Sequence, residues 1–545
     1  MKRKIFFIII ISFLLSSFFL PQKNWKIEKT FNFNNYFITG ICVKGNSLFF
    51  LDKNSRKIYQ YDLKEGKIIK NWDTPCLFPS GLSIYNNSFF LCDIDTSDDG
   101  VGKIYEIDKN SGNVVNLIYP PALWPTGICA TQRGLWLLDD RYNKLFLLDK
   151  DDGTILKEFQ SPANYPTGIS YDGKYLYIGD RVRDKIYVVF PETGDVLYPY
   201  DAPGKYVYGI SKTNEDTLFC SDLQSGRIFK LKLGKEKVVK YSPITEKLTF
   251  SDTILFTGEG KVDKGEIYFP LGRNRENQKI ISNFKFFPSP PTKITVDEWG
   301  EKFAIFDLGK LHIKGKLLKK VEYTVNLKLN KVRWYIDPDR VGSFKDIPPE
   351  ISSKYLKNGI KYELSNPYIE ETVKKVVGNE KNLYWMARKL YNFVTSRVSY
   401  KRTGGWETAP VVLKRGSGSC SEYTFSYISL CRKAGIPARY VGSIAIRKDA
   451  LSMDWVFHRW AEIYLPNYGW IPVDTSRGKA DLPADMAKGF GFLDNRLFVT
   501  TTAGGPESYM GWSYNSGSSF SHSSNVKIKE FVMGLWQPIK NRGSR

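Results

Sequence analysis

The sequence predicts a multidomain, β-rich protein with an N-terminal β-propeller, a middle β-sandwich and a C-terminal α+β domain. Three observations predict it. Glycines 40, 81, 127, 168 and 209 recur at spacings of 41, 46, 41 and 41 residues. From about Lys235 that period gives way to short apolar runs parted by turn clusters. After Pro349 the apolar pattern becomes helical and leads to a cysteine at a helix start. A chain of 545 residues is too long for one core, and 42% hydrophobic with 15% aromatic content is ample for burial.

The first element is a basic tip, Met1 to Lys4, followed by a mostly apolar run from Ile5 to Leu20 broken only by Ser12, Ser16 and Ser17. This pattern reads as a signal peptide or an N-terminal membrane anchor over residues 1–22. The protein is therefore expected to be secreted or anchored to the outer face of the cytoplasmic membrane.

The repeats come next. Around each recurring glycine stand ITGI, PSGL, PTGI, PTGI and VYGI, and about twelve residues on an aspartate closes an apolar run. These are Asp52, Asp93, Asp139, Asp180 and Asp222, each followed by a second short strand and a turn. Short strands repeated with a period near 41 residues predict propeller blades over residues 25–242 and resemble NHL/YVTN-like repeats. The segment Trp25 to Asn34 reads as the last strand of a unit. It either closes a five-bladed ring or belongs to a sixth blade. Recurrence by geometry assigns the aspartates to strand ends, and the array is expected to be a platform for a protein or polysaccharide partner.

Residues 243–345 hold strand-like runs such as KLTFS, ILFTG and EIYFPLG, which predict the sandwich. His312 lies among them with no partner nearby in sequence, and a structural role is expected for it.

Residues 350–505 carry the chemistry. Leu383, Met386, Ala387, Leu390, Phe393 and Val394 follow helical spacing and predict a core-facing helix. Further on, Ser419 and Glu422 form a capping box that starts a helix at Cys420, and Gly435 and Pro437 end it. A thiol in a first helical turn meets the positive end of the macrodipole, which favours the nucleophilic thiolate. Cys431, on the same helix, reads as core. The base is predicted to be His458, which opens a strand whose return strand ends at Asp474. Both residues stand eight positions from Pro466. A loop centred there puts them directly opposite on one hairpin face, with Cβ atoms roughly 5 Å apart. Asp474 then holds the imidazole tautomer while the other ring nitrogen faces the thiol.

GSGSCSEYTFSYISLCRKAGIPARYV and HRWAEIYLPNYGWIPVD resemble the two core motifs of the transglutaminase-like superfamily, relatives of papain-type thiol enzymes. The resemblance maps that family's catalytic Cys, His and Asp onto Cys420, His458 and Asp474. It implies acyl transfer through a thioester on peptide or protein amides, cell-wall peptide among them, with either water or an amine as acceptor. An aromatic residue upstream of the nucleophile can serve the oxyanion in that family, and Tyr400 and Trp406 are both candidates. The sequence departs from the family pattern in placing Arg459 after the histidine. The other reading is an inert module of this kind in a propeller-based adhesion or scaffold protein. No cofactor and no metal site are expected, since no two of the seven cysteines form a C-x-x-C pair and no calcium loop is evident.

Residues 506–545 form a C-terminal extension, Ser/Gly-rich and expected as loop, with a last strand or short helix in VKIKEFVMGLWQPIK. No catalytic part is expected of His522. Net charge is +22, unevenly spread: residues 41–230 hold 22 Lys+Arg against 25 Asp+Glu, and residues 231–545 hold 51 against 31. The plain reading is a Lys-rich solvated surface; the sharper one is a field for anionic cell-wall polymers or lipid headgroups, and no nucleic-acid motif accompanies it.

Overall fold

The computed structural model describes residues 24–94, 100–214, 216–402 and 406–539. The expected signal peptide or anchor lies outside them. Among the described residues no helix is long and apolar enough to cross a membrane.

The repeats fold as five four-stranded antiparallel sheets. In the first, Ile38–Lys44, Ser47–Asp52, Lys57–Asp62 and Lys67–Asp73 follow one another across the sheet. The next three sheets repeat that order and end at Asp201. The fifth takes three strands, Val207–Asn214, Thr217–Asp222 and Arg227–Leu233, and borrows its fourth, Trp25–Asn32, from the chain's beginning. Each first strand contacts the first strand of the next sheet, and the fifth contacts the first.

The recurring glycines have a steric cause. A Cβ on Gly127 would stand 2.1 Å from the Thr167 carbonyl oxygen, and one on Gly168 would stand 2.2 Å from that of Tyr208. Neighbouring sheets approach too closely there for any side chain. The adjoining hydroxyls bond across the same gaps: Thr39, Thr126 and Thr167 donate to the carbonyls of Pro79, Pro166 and Val207, each at 2.9 Å. The repeated aspartates cap loops, as their recurrence predicts. Asp52 accepts from the Phe37 amide at 2.7 Å, Asp93 from Phe78 at 2.6 Å and Asp180 from Val182 at 3.0 Å.

The strands expected as a sandwich all join one ten-stranded sheet, and that sheet reaches past residues 243–345 on both sides. KLTFS, ILFTG and EIYFPLG are pieces of a single strand, Val238–Pro270, paired along most of its length with Leu311–Trp334. Phe250, Ile254, Phe256, Tyr323 and Val325 line its buried face.

The expected loop after residue 506 needs correction. Gly517–His522 is a strand, and VKIKEFVMGLWQPIK takes the strand of its two expected forms as Val526–Pro538; both lie on the other side of Val238–Pro270. Alternation explains the second, where Val526, Gly534 and Trp536 face inward while lysines take the solvent side. The first has only Phe520 to mark an apolar face, too little to read as a strand.

In the C-terminal part the expected helix is Leu383–Arg397, with Leu383, Met386, Ala387, Leu390 and Val394 buried and Phe393 partly so. Helix Cys420–Lys433 packs on a four-stranded sheet ordered Gly469–Val473, His458–Leu465, Ala438–Ala445 and Leu497–Ala503. Arg388, 2% exposed, ties the helical layer to the fourth repeat sheet. It donates to Asp195 at 3.3 Å and to the Val196 carbonyl at 3.2 Å.

Candidate active site

The capping box forms as its spacing predicts. The Ser419 amide donates to Glu422 at 2.7 Å, and the Ser419 side chain accepts in return from the amide of Glu422. Glu422 is fully buried, and Arg415 donates to its other oxygen at 2.9 Å. This clamp sets Cys420 as the first residue of its helix, at the macrodipole's positive end.

His458 opens its strand with one ring nitrogen, Nε2, 2.7 Å from Asp474 Oδ2. Its side chain is also a hydrogen-bonding partner of Cys420, which leaves Nδ1 for the sulfur. The three residues therefore meet. The route differs from the expected one. The turn centres on Asn467, with Leu465 opposite Gly469 and Ala461 opposite Val473, so His458 and Asp474 are diagonal and not directly opposed. A shift of two residues keeps both on the same face, and Asp474 reaches the ring from just beyond the end of its strand. There it caps the short helix Thr475–Arg477: Ser476 donates to Oδ1 from its amide at 3.2 Å and its hydroxyl at 2.7 Å. Arg477 Nε stands 3.3 Å from Oδ2.

The electrostatics follow from this geometry. Burial works against a charged Cys420, 6% exposed, yet the bond to His458 and the charges of His458 and Arg459 draw its thiol below the usual range. Burial likewise opposes a charged His458, and Asp474 overcomes it, raising the imidazole to about 9. Asp474 itself, despite burial, is held down to about 2 by His458, with Arg477 and Ser476 assisting. Burial pushes the Cys431 thiol up, as befits a core position. The arrangement favours a thiolate–imidazolium pair steadied by a carboxylate.

Of the two aromatic candidates, Tyr400 is half exposed, lies over the Tyr423 ring and feels the charge of Cys420. Trp406 packs against Phe425 and Tyr514. The hydroxyl that reaches both Cys420 and Ser421 belongs to Tyr514, which the sequence reading passed over. It sits in the Ser/Gly-rich stretch after the strands of this layer, where no spacing ties it to the nucleophile.

Arg459 is fully buried. Its guanidinium lies 4.0 Å from the Tyr514 ring centre, 4.2 Å from Tyr440, 4.8 Å from Trp406 and 5.2 Å from Phe425. It donates to the Trp512 carbonyl at 2.6 Å, and its backbone amide is directed to the Cys420 sulfur. His312 and His522 are exposed on strands of the ten-stranded sheet.

The model of the transglutaminase-like superfamily matches residues 370–475, a span holding Cys420, His458 and Asp474. These residues are a transglutaminase-like domain. No curated protein matches the chain. Solved structures with partial similarity include a provisionally assigned cysteine protease from Cytophaga hutchinsonii, at 15% identity and a TM-score of 0.39, covering 55% of this chain and 100% of that one. A glutaminyl cyclase from Myxococcus xanthus matches at 14% identity and a TM-score of 0.34, covering 39% of this chain and 98% of that one. Virginiamycin B lyase from Staphylococcus aureus matches at 22% identity and a TM-score of 0.26, covering 36% and 66%. TM-scores of this size fix neither fold nor activity. Tyr514 lies outside the matched span of the transglutaminase-like domain, so the full surround of Cys420 draws on later sequence.

Proposed function

We propose that the protein is an exported transglutaminase-like cysteine enzyme that forms a thioester at Cys420 and hydrolyses or transfers peptide or protein amides. The observation that carries this reading is the meeting of Cys420, His458 and Asp474, with 2.7 Å between ring and carboxylate. In the first step the Cys420 thiolate adds to an amide carbonyl. The Cys420 amide at the helix mouth and the Tyr514 hydroxyl are the nearby donors for the developing oxyanion. The C–N bond then breaks, and the imidazolium of His458 gives its proton to the departing amine. The thioester is next attacked by water, giving an acid, or by an amine, giving a new amide; His458 takes the proton from either acceptor as the C–S bond breaks and the Cys420 thiolate leaves. Cell-wall peptide is a substrate of the right class.

The five sheets with cyclic contacts between first strands support a five-bladed β-propeller over residues 25–242, a platform for a protein or polysaccharide partner. The basic, then apolar N-terminus supports export, with the enzyme free or held at the outer face of the cytoplasmic membrane. The second reading, an inert module in a scaffold protein, draws on one observation: Cys420 is only 6% exposed.

Alkylation separates the two. Iodoacetamide at neutral pH is expected to label Cys420 well before Cys431, with the label absent from Cys420→Ala, and to abolish release of amine from peptide substrates. Equally slow labelling of both cysteines would establish the scaffold reading.

A further inference from the structure

The outer face of the ten-stranded sheet carries large apolar side chains that nothing among the described residues covers. Leu451, Met453 and Trp455 stand along one edge, 62%, 50% and 63% exposed. Met453 pairs with Leu535 on the neighbouring strand Val526–Pro538. Along that strand the outward positions run through Phe531, 59% exposed, to Lys529 and Lys527. Two strands further over, Lys320, Leu318 (62% exposed) and Lys316 occupy the same rows. Phe531 and Lys320 both pair with Thr253, Lys529 and Leu318 with Leu255, and Lys527 and Lys316 with Thr257. Alternation puts Phe250, Phe256, Val526 and Trp536 on the opposite, buried face, so the outward set is not a displaced core.

We infer that this face docks onto an anionic phospholipid bilayer. The composition selects the occupant. The apolar centre of a protein–protein interface is depleted in lysine. Here lysines alternate with the protruding residues in the same rows. Tryptophan, phenylalanine and leucine that enter the headgroup boundary, with lysine stems lying along them and ammonium groups on lipid phosphates, form an interfacial pattern. The residues project from an open sheet and do not line a groove, as a flat partner requires. The basic, then apolar N-terminal run is a second membrane-directed feature of the same chain. Docking stands independently of catalysis. Its corollary, that a site whose His458 follows Trp455 by three residues works close to the bilayer, rests on the proposed enzyme.

Hydroxyl-radical footprinting of the full chain reads these side chains directly. Vesicles of an equimolar mixture of phosphatidylcholine and phosphatidylglycerol are expected to lower oxidation of Met453, Trp455 and Phe531 by about threefold or more. Trp124 and Tyr142, exposed on the repeat sheets, should keep theirs. Phosphatidylcholine vesicles alone, which the N-terminal run can also enter, should leave the face unprotected. The double variant Lys527→Glu/Lys529→Glu, checked for native circular dichroism, should lose most of the protection. The inference is overturned if protection is missing, equal on both vesicles, shared by Trp124, or unchanged in that variant. Protection that grows with protein concentration without vesicles would overturn it too, and would assign the face to a second copy of the chain.

Discussion

At the scale of single residues, the site turns on how buried charges offset one another. Asp474 raises His458 to about 9, above its ordinary value near 6.5, while Cys420 is drawn below its own. The imidazolium is therefore fully present below the ordinary value and is lost as pH rises through about 9. Turnover should follow a bell whose alkaline limb lies near that value, because the leaving amine then lacks its proton donor. Alkylation of Cys420 needs only the thiolate and should not fall on that limb. Asp474→Asn should move that alkaline limb to lower pH and lower turnover by about 10⁴, measured as amine release across pH. The three partners were legible in the sequence because each type stood in a telling local setting: a capped helix start, a strand start and a strand end. Arg459 was visible only as a departure. Nothing in its neighbours announced that four aromatic rings from distant segments would enclose it.

Elements were legible where one periodicity governed them. The Cys420 helix was bounded by its own capping box and Gly435, and the repeat strands by their shared text. The long strand Val238–Pro270 was not. ILFTG and EIYFPLG stood as separate runs, yet Gly258 and Gly260, at φ of +106° and +155° where the first run ends, permit bends within one strand. The hairpin was placed two residues off register because Pro466 looked like the apex. Asn467, at φ +71°, takes that position instead, as asparagine can. The capping box also makes a mechanical prediction. Glu422 is buried and binds the Ser419 amide, the Glu407 amide and Arg415, so Glu422→Ala strands three donors and should cost about 2 kcal/mol. Urea denaturation would show it, with Cys420 alkylation slowing alongside as the helix mouth loosens.

Across the whole molecule, the repeat sheets and the helical layer share one buried cluster and a set of specific polar contacts. Arg388 and Asp195 form the most buried of them, supported by Asn392 at 3.1 Å and by Phe190 against Trp385, with ring centres 4.1 Å apart. Removing one partner from such a pair costs more than replacing the cation by an apolar group of similar size. Asp195→Ala should therefore lower stability by about 3 kcal/mol and Arg388→Met by much less, read from denaturation midpoints. An unaltered Asp195→Ala midpoint would show that this pair does not hold the two layers together. None of this joint could be read in advance, since each partner is unremarkable within its own segment.

The strand Trp25–Asn32 is made first and paired last. Its partner, Arg227–Leu233, emerges about two hundred residues later, so the amino end of the folded chain must wait, unsatisfied, while four sheets assemble behind it. Completion of the fifth sheet is thereby a single late event with a long loop to close, and the order of synthesis runs against the order of completion. A chain released before Leu233 would hold four finished sheets and an open edge at each end, a template for the same edge on another unfinished copy.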